Sequence, residues 1–255
     1  MGSALLKGWL RQGIGPVIVI EPKPSAEIRA LAKARKIVLV AAPSAVTAKK
    51  PSACVVAVKP QILKGEAPLL AAFAGTALMI SIAAGTDTKS LSKAWGTKAR
   101  IIRAMPNIAG AIAKGITGLY APKNVSAADR KRADALLSAL GETVWVEKET
   151  LIDSVTAVSG SGPAYLFLMA EALTEAGVAE GLPRTQAEKL ARATVSGAGA
   201  LLASEKTSAA ALREAVTSPG GTTAAALAIL MAKDGLAPLV KRAVRAARKR
   251  AQELR

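Results

Sequence analysis

The sequence predicts a doubly wound α/β domain with a parallel sheet, followed by an all-helical domain. Through the first 150 residues short apolar runs alternate with stretches of helical periodicity. The runs are apolar nearly throughout and not at every second position, as in strands covered on both faces. Beyond about Leu151 the strand signals stop, and Ala, Leu, Glu and Lys recur at helical spacing. The expected domains are therefore 1–150 and 151–255.

Taken in order, residues 2–11 read as a helix and 17–20 as the first strand present, followed by a helix at 25–34 and a strand at 37–42. Strands at 54–58, 78–83 and 101–105 alternate with helices at 62–73 and 87–95. A helix at 127–140 has Ser126 as its N-cap and Gly141 as its stop, and a short strand follows at 143–146. The second domain holds helices at 163–178, 184–202, 209–216, 223–233 and 237–254. Its Ala and Gly allow close helix approach, and a unit this small would leave much apolar surface open unless a second copy covered it.

Composition narrows the chemistry. The chain has no histidine, which removes the Ser-His-Asp triad, the Cys-His pair and the imidazole metal site, so no metal is expected. What remains is catalysis by a cofactor, by carboxylates or Lys, or by backbone dipoles. Cys54 is the only cysteine; it excludes an intrachain disulfide and reads as a small core residue of its strand. No apolar run reaches the roughly 18 to 20 residues of a membrane span, and the basic N-terminus lacks signal-peptide shape, so a soluble cytoplasmic protein is expected. The net charge of +17 is spread along the chain, with a cluster from Lys241 to Arg255 that reads as the polar face of a helix. Only 3% of residues are aromatic, leaving few stacking platforms and arguing against nucleic acid as the partner.

The first helix leads directly to a strand ending at Glu21. In a dinucleotide-binding unit the order is strand, glycine-rich turn, helix, second strand, then an acidic residue that meets the ribose. Gly2 would be the third glycine of that turn, where helix and strand pack closely. The first strand and two earlier glycines are missing, and Met1 reads as the methionine before the last glycine of the turn, from a misplaced start or a truncated gene. A helix beginning Met-Gly is also an ordinary helix start.

Farther along, Ser218-Pro219-Gly220-Gly221 precedes a helix beginning near Thr222. Such a turn leaves backbone N-H groups pointing one way with the positive end of the helix dipole behind them, which suits a carboxylate. A plain turn and N-cap is the alternative reading.

Several segments together resemble pyrroline-5-carboxylate reductases: Val56-Ala57-Val58-Lys59-Pro60-Gln61, Ser81-Ile82-Ala83-Ala84-Gly85-Thr86, Arg103-Ala104-Met105-Pro106-Asn107, Val158-Ser159-Gly160-Ser161-Gly162-Pro163-Ala164-Tyr165, and Val216 through Thr223. The resemblance spans essentially the whole chain. It implies a Rossmann-like domain joined to a helical dimerisation domain, and reduction of the cyclic imine 1-pyrroline-5-carboxylate to L-proline with NADPH or NADH. It implies cofactor contacts at Gly2, Glu21, Val58, Lys59, Pro60, Ala84, Gly85 and Asn107. It implies substrate contacts at Ser218, Gly220, Gly221, Thr222 and Thr223, with catalytic roles for Thr223 and an acidic residue best matched by Glu205. Glu205 also reads as an exposed helix end, Lys59 as a lysine lying along a strand end, and Asn107 as a turn residue after Pro106. Glu21 suits the ribose hydroxyls of NADH, whereas Lys23 and Ser25 suit the extra phosphate of NADPH, to which the reading leans. Homodimers that assemble into rings are a further implication. The competing functions are a related imine or β-hydroxyacid reductase, and a non-catalytic basic binding or dimerising remnant that has lost its cofactor site.

Overall fold

Two opposed apolar faces of a central sheet organise the first half of the molecule. The computed structural model describes residues 1–46 and 51–254. These divide into one unit of Met1–Gly160 with the chain from Arg248 onward, and a second of Ser161–Ala247. The boundary expected at 150/151 lies ten residues before this division.

In the first unit α1 (Gly2–Arg11), β1 (Ile18–Ile20), α2 (Ala26–Lys33) and β2 (Val38–Val40) are followed by β3 (Ala53–Val56), α3 (Pro60–Glu66), α4 (Ala71–Ala74) and β4 (Leu78–Ser81). Then come α5 (Thr88–Trp95), β5 (Ile101–Met105), β6 (Gly115–Tyr120), α6 (Ala127–Leu137), β7 (Gly141–Trp145) and α7 (Leu151–Val155). The side chains of β4 and β5 alternate between the faces. Leu78, Ile80, Ile102 and Ala104 join Leu5 of α1 and Ala133 and Leu137 of α6 in one cluster. Met79 and Ile101 join Leu63 of α3, Phe73 of α4, and Leu91 and Trp95 of α5 in the other. Helices thus cover both faces, as the continuous apolar strands require. Each buried Leu or Ile contributes about 1.5–3 kcal/mol.

The sheet is in two blocks. β1 pairs in parallel with β2, and a separate five-stranded sheet runs β3-β4-β5-β6-β7. Among the described residues β1 and β3 share no ladder, although Ile20 packs on the same cluster as Cys54. A doubly wound order places its first strand at that position.

Two local features differ from the sequence expectation. β6 is antiparallel to β5, with Tyr120 opposite Arg103, so the sheet is parallel-dominated and not wholly parallel. Gly115 and Gly118 dilute the strand signal there. Gly118 is required because a Cβ would lie 2.5 Å from Val155 Cγ1, where α7 crosses β6. The single helix expected at 62–73 is broken into α3, a 3-10 turn at Ala67–Leu70 and α4. Pro68 at the start of that turn has no N-H to continue the helix.

Asp129 anchors α6. It is 2% exposed, and its Oδ1 lies 2.7 Å from Arg100 Nη1. Ser126, the N-cap, accepts from Asp129 N and donates to its carboxylate. Burial alone would raise the Asp129 pKa, but hydrogen bonds from Ser126 and Arg100 and the Arg100 charge outweigh it and hold the carboxyl below its usual range. A lowered folded pKa adds stability above the unfolded value that is lost as pH falls through the folded one. The stability gap between the wild type and Asp129→Asn, measured by denaturant unfolding across pH, is therefore expected to be full at neutral pH and to shrink steadily on the acid side.

The second unit is all helical among its described residues: α8 (Gly162–Ala179), α9 (Arg184–Ser204), α10 (Ala209–Ala215), α11 (Thr222–Leu230) and most of α12 (Leu236–Glu253). α8 and α9 form a hairpin around Gly177, where a Cβ would sit 3.2 Å from Ala187 Cβ. Leu166, Phe167 and Leu168 on α8 and Ile229 on α11 are each more than half exposed. No helix of the described residues is long and apolar enough to cross a membrane.

Candidate active site

In the first unit the candidate residues collect at the C-terminal ends of the parallel strands, where open α/β sheets bind ligands. β3 ends at Val56, and Ala57, Val58 and Lys59 after it are exposed. Lys59 is the backbone N-cap of α3 and Pro60 its first residue, an N1 position that needs no N-H donor. Gly2 lies against this strand end, where a Cβ would be 3.2 Å from Ala57 Cβ. α1 has no side-chain cap at Met1, so its leading N-H groups stay open at the same edge.

One strand over, Ile82 N donates to Val56 O, which extends the ladder past β4. Ala84 and Gly85 follow in a half-buried loop. Gly85 has φ +70°, and a Cβ there would strike the backbone of Leu254, so both conformation and space call for glycine. After β5, Asn107 Oδ1 accepts from Ile116 N at 3.3 Å. The turn-stabilising role is thus taken by its carbonyl oxygen. Glu21 follows β1 and is exposed, with Oε1 accepting from Lys23 N at 3.0 Å. Ser25 caps α2 through its hydroxyl. Cys54 is half-buried and its thiol is pushed up to about 11 by burial, in keeping with a core role.

In the second unit Ser218, Gly220, Gly221, Thr222 and Thr223 are drawn together in one turn and the first turn of α11. Gly221 N donates to Ser218 O at 3.0 Å, closing a turn in which Gly220 takes φ +68°. Pro at the second place and a positive-φ Gly at the third is the type II pattern. Gly221 is the N-cap, and a Cβ on it would collide with Ser218 Oγ. α2, α5, α6 and α10 are capped by the side chains of Ser25, Asp87, Ser126 and Ser208, whereas no side chain caps α11. Among the described residues its first N-H groups therefore have no side-chain cap. Glu205 ends α9 as an exposed C-cap. It makes no hydrogen bond or ion pair to the turn among the described residues.

Sequence reading missed a polar cluster in the first unit. Arg103 of β5 is 2% exposed, with Nη1 3.5 Å from Glu149 Oε1 and Nη2 4.0 Å from Asp153 Oδ1. Glu149 in turn accepts from Thr88 N and Thr88 Oγ1, both at 2.7 Å. The available signal was an arginine inside an apolar strand, which demands a partner. Downstream, α7 continues as a π-helical turn at Thr156–Gly160, a form often found at functional positions. Gly160 lies against Met105, where a Cβ would be 2.9 Å from Met105 Cε.

The pattern describing pyrroline-5-carboxylate reductase dimerisation matches residues 149–254. The pyrroline-5-carboxylate reductase of Pseudomonas aeruginosa is 40% identical over all of this chain and 93% of its own length. That of Synechocystis is 46% identical over 78% of this chain and 73% of its own. Among solved structures, the pyrroline-5-carboxylate reductase of Coxiella burnetii superposes with a TM-score of 0.90 at 34% identity, covering 99% of this chain and 94% of that one. The Plasmodium falciparum pyrroline carboxylate reductase, solved with NADP bound, gives 0.81 at 28% identity over 100% and 94%. Identity sustained along the chain, a parallel-dominated Rossmann-like sheet and a helical dimerisation domain place this protein in the pyrroline-5-carboxylate reductase family.

Proposed function

We propose that this protein reduces 1-pyrroline-5-carboxylate to L-proline with NADPH or NADH, the last step of proline biosynthesis, in the cytoplasm and as a homodimer that can build larger rings. The observation that carries the substrate assignment is the Ser218–Thr223 turn. Its open N-H groups at the start of α11, backed by the helix dipole, suit a carboxylate fixed on a small rigid ring.

Gly220, Gly221, Thr222 and Thr223 hold the substrate carboxylate through the backbone, and the Thr223 hydroxyl hydrogen-bonds the ring nitrogen. Gly220 supplies the positive φ that turns the chain, and Gly221 lets the turn close over Ser218. The nitrogen is protonated from solvent or through that hydroxyl, which makes the C=N electrophilic without histidine. Glu205 is not needed for this sequence. The strand ends fit a dinucleotide: Gly2 permits close backbone approach at the open start of α1, Val58, Lys59 and Pro60 border it, and Ala84, Gly85 and Asn107 line the next two strand ends. When bound, the nicotinamide supplies the hydride that the imine carbon accepts. Glu21 faces the ribose, and the exposed Lys23 favours the extra phosphate of NADPH.

A substrate panel tests the assignment. Pyrroline-5-carboxylate is expected to be reduced with a kcat/KM about 100-fold above that of the same ring without its carboxylate, because the unpaired N-H groups of α11 would then be left unsatisfied. Equal rates, or preference for a β-hydroxyacid, would sink it.

A further inference from the structure

Glu149 lies 61 residues along the chain from the helix it touches, and its contacts go beyond a local cap. α5 already has a complete N-cap in Asp87, whose Oδ1 accepts from Ser90 N at 2.7 Å. Glu149 adds a second carboxylate to the same helix start, taking Thr88 N on Oε1 and Thr88 Oγ1 on Oε2. Two carboxylates at one helix N-terminus are favoured by the dipole, and the distant one ties the helix to another element.

The Glu149 carboxylate is oriented by Arg103. Arg103 is paired directly with Ser81 across the β4–β5 ladder. Ser81 is the last residue of β4, the root of the loop that carries Ala84 and Gly85, and Thr88 is that loop's exit. Arg103 therefore stands beside the root of the loop in the sheet, and its guanidinium holds the carboxylate that fixes the loop's exit. Asp153, 1% exposed, lies by the other Arg103 nitrogen and connects the cluster to α7.

We infer that Glu149, oriented by Arg103, is a positioning residue for the cofactor: it holds the Ile82–Asp87 loop in the shape that receives the nicotinamide end. Glu149 is also the first residue of the dimerisation match. The inference rests on the cofactor role proposed above for Ala84 and Gly85.

The test compares Glu149→Gln, Thr88→Val and Thr88→Ser with the wild type. It measures the NADPH Kd by nicotinamide fluorescence, the KM values for NADPH and for the imine, kcat, and the unfolding temperature. Loss of a charge-assisted hydrogen bond at the clamp predicts that Glu149→Gln and Thr88→Val weaken NADPH binding about 10-fold, with kcat and imine KM within about twofold, and that Thr88→Ser restores binding. An unchanged NADPH Kd in Thr88→Val and Glu149→Gln, whatever their unfolding temperatures, would overturn the clamp. If Glu149→Gln fails to fold, Thr88→Val and its serine rescue decide the matter alone. A wild type that binds NADPH but reduces no imine would refute the proposed reaction and leave the clamp to be judged on Kd.

Discussion

Replacing Thr223 by Val is expected to lower kcat/KM for pyrroline-5-carboxylate by about 100-fold while leaving the NADPH Kd within about twofold. Valine keeps the β-branched shape, so the helix start should survive. No side chain caps α11, so its fold does not draw on the Thr223 hydroxyl. What the change would remove is the hydrogen bond proposed from this hydroxyl to the ring nitrogen, whose protonation state governs the electrophilicity of the C=N. Thr223→Ser should recover most of the rate. Steady-state kinetics with both substrates varied separates this outcome from a general loss of the site: an equal fall in kcat/KM for Thr223→Ser would show that the methyl group and not the hydroxyl matters.

The second large effect concerns stability. Arg103→Met should destabilise the protein by about 3–5 kcal/mol, because it leaves the buried Asp153 and the mostly buried Glu149 facing an apolar side chain. Adding Asp153→Asn to Arg103→Met should recover part of that loss, since an amide tolerates the apolar site better than a carboxylate does. Denaturant unfolding of the two single variants and the double variant checks this. Simple additivity of the two single losses would mean that the two groups are not coupled.

The strands that set the architecture were legible because burial on both faces leaves an unmistakable apolar run. β4 reads Leu78-Met79-Ile80-Ser81 and every residue in it is buried. α6 was legible at its start through Ser126, while Gly141 ends the 3-10 turn Ser138–Leu140 that follows the helix and not α6 itself. β6 was not legible, because Gly118 answers to α7, an element more than thirty residues away, and the local pattern holds no trace of that crossing. The break at Pro68 was visible in principle, since a proline inside a helical pattern cannot continue the hydrogen-bond ladder. The turn before α11 could be read from Pro219, Gly220 and Gly221 because turn chemistry is local. The Arg103–Glu149–Thr88 cluster could not, since it joins three segments that only the folded sheet brings together. Asn107 lay between the two cases: the sequence offered an orienting role and a turn role, and the bond from Ile116 N gives its carbonyl to the turn.

The most direct test of the account is to mix the protein with pyrroline-5-carboxylate and NADPH, follow the loss of nicotinamide absorbance, and quantify proline in the same sample. The account predicts one proline formed for each NADPH oxidised, with loss of the reaction in a variant whose Ser218–Thr223 turn is disrupted. Folded protein that binds NADPH yet forms no proline, or NADPH oxidation without matching proline, would contradict it.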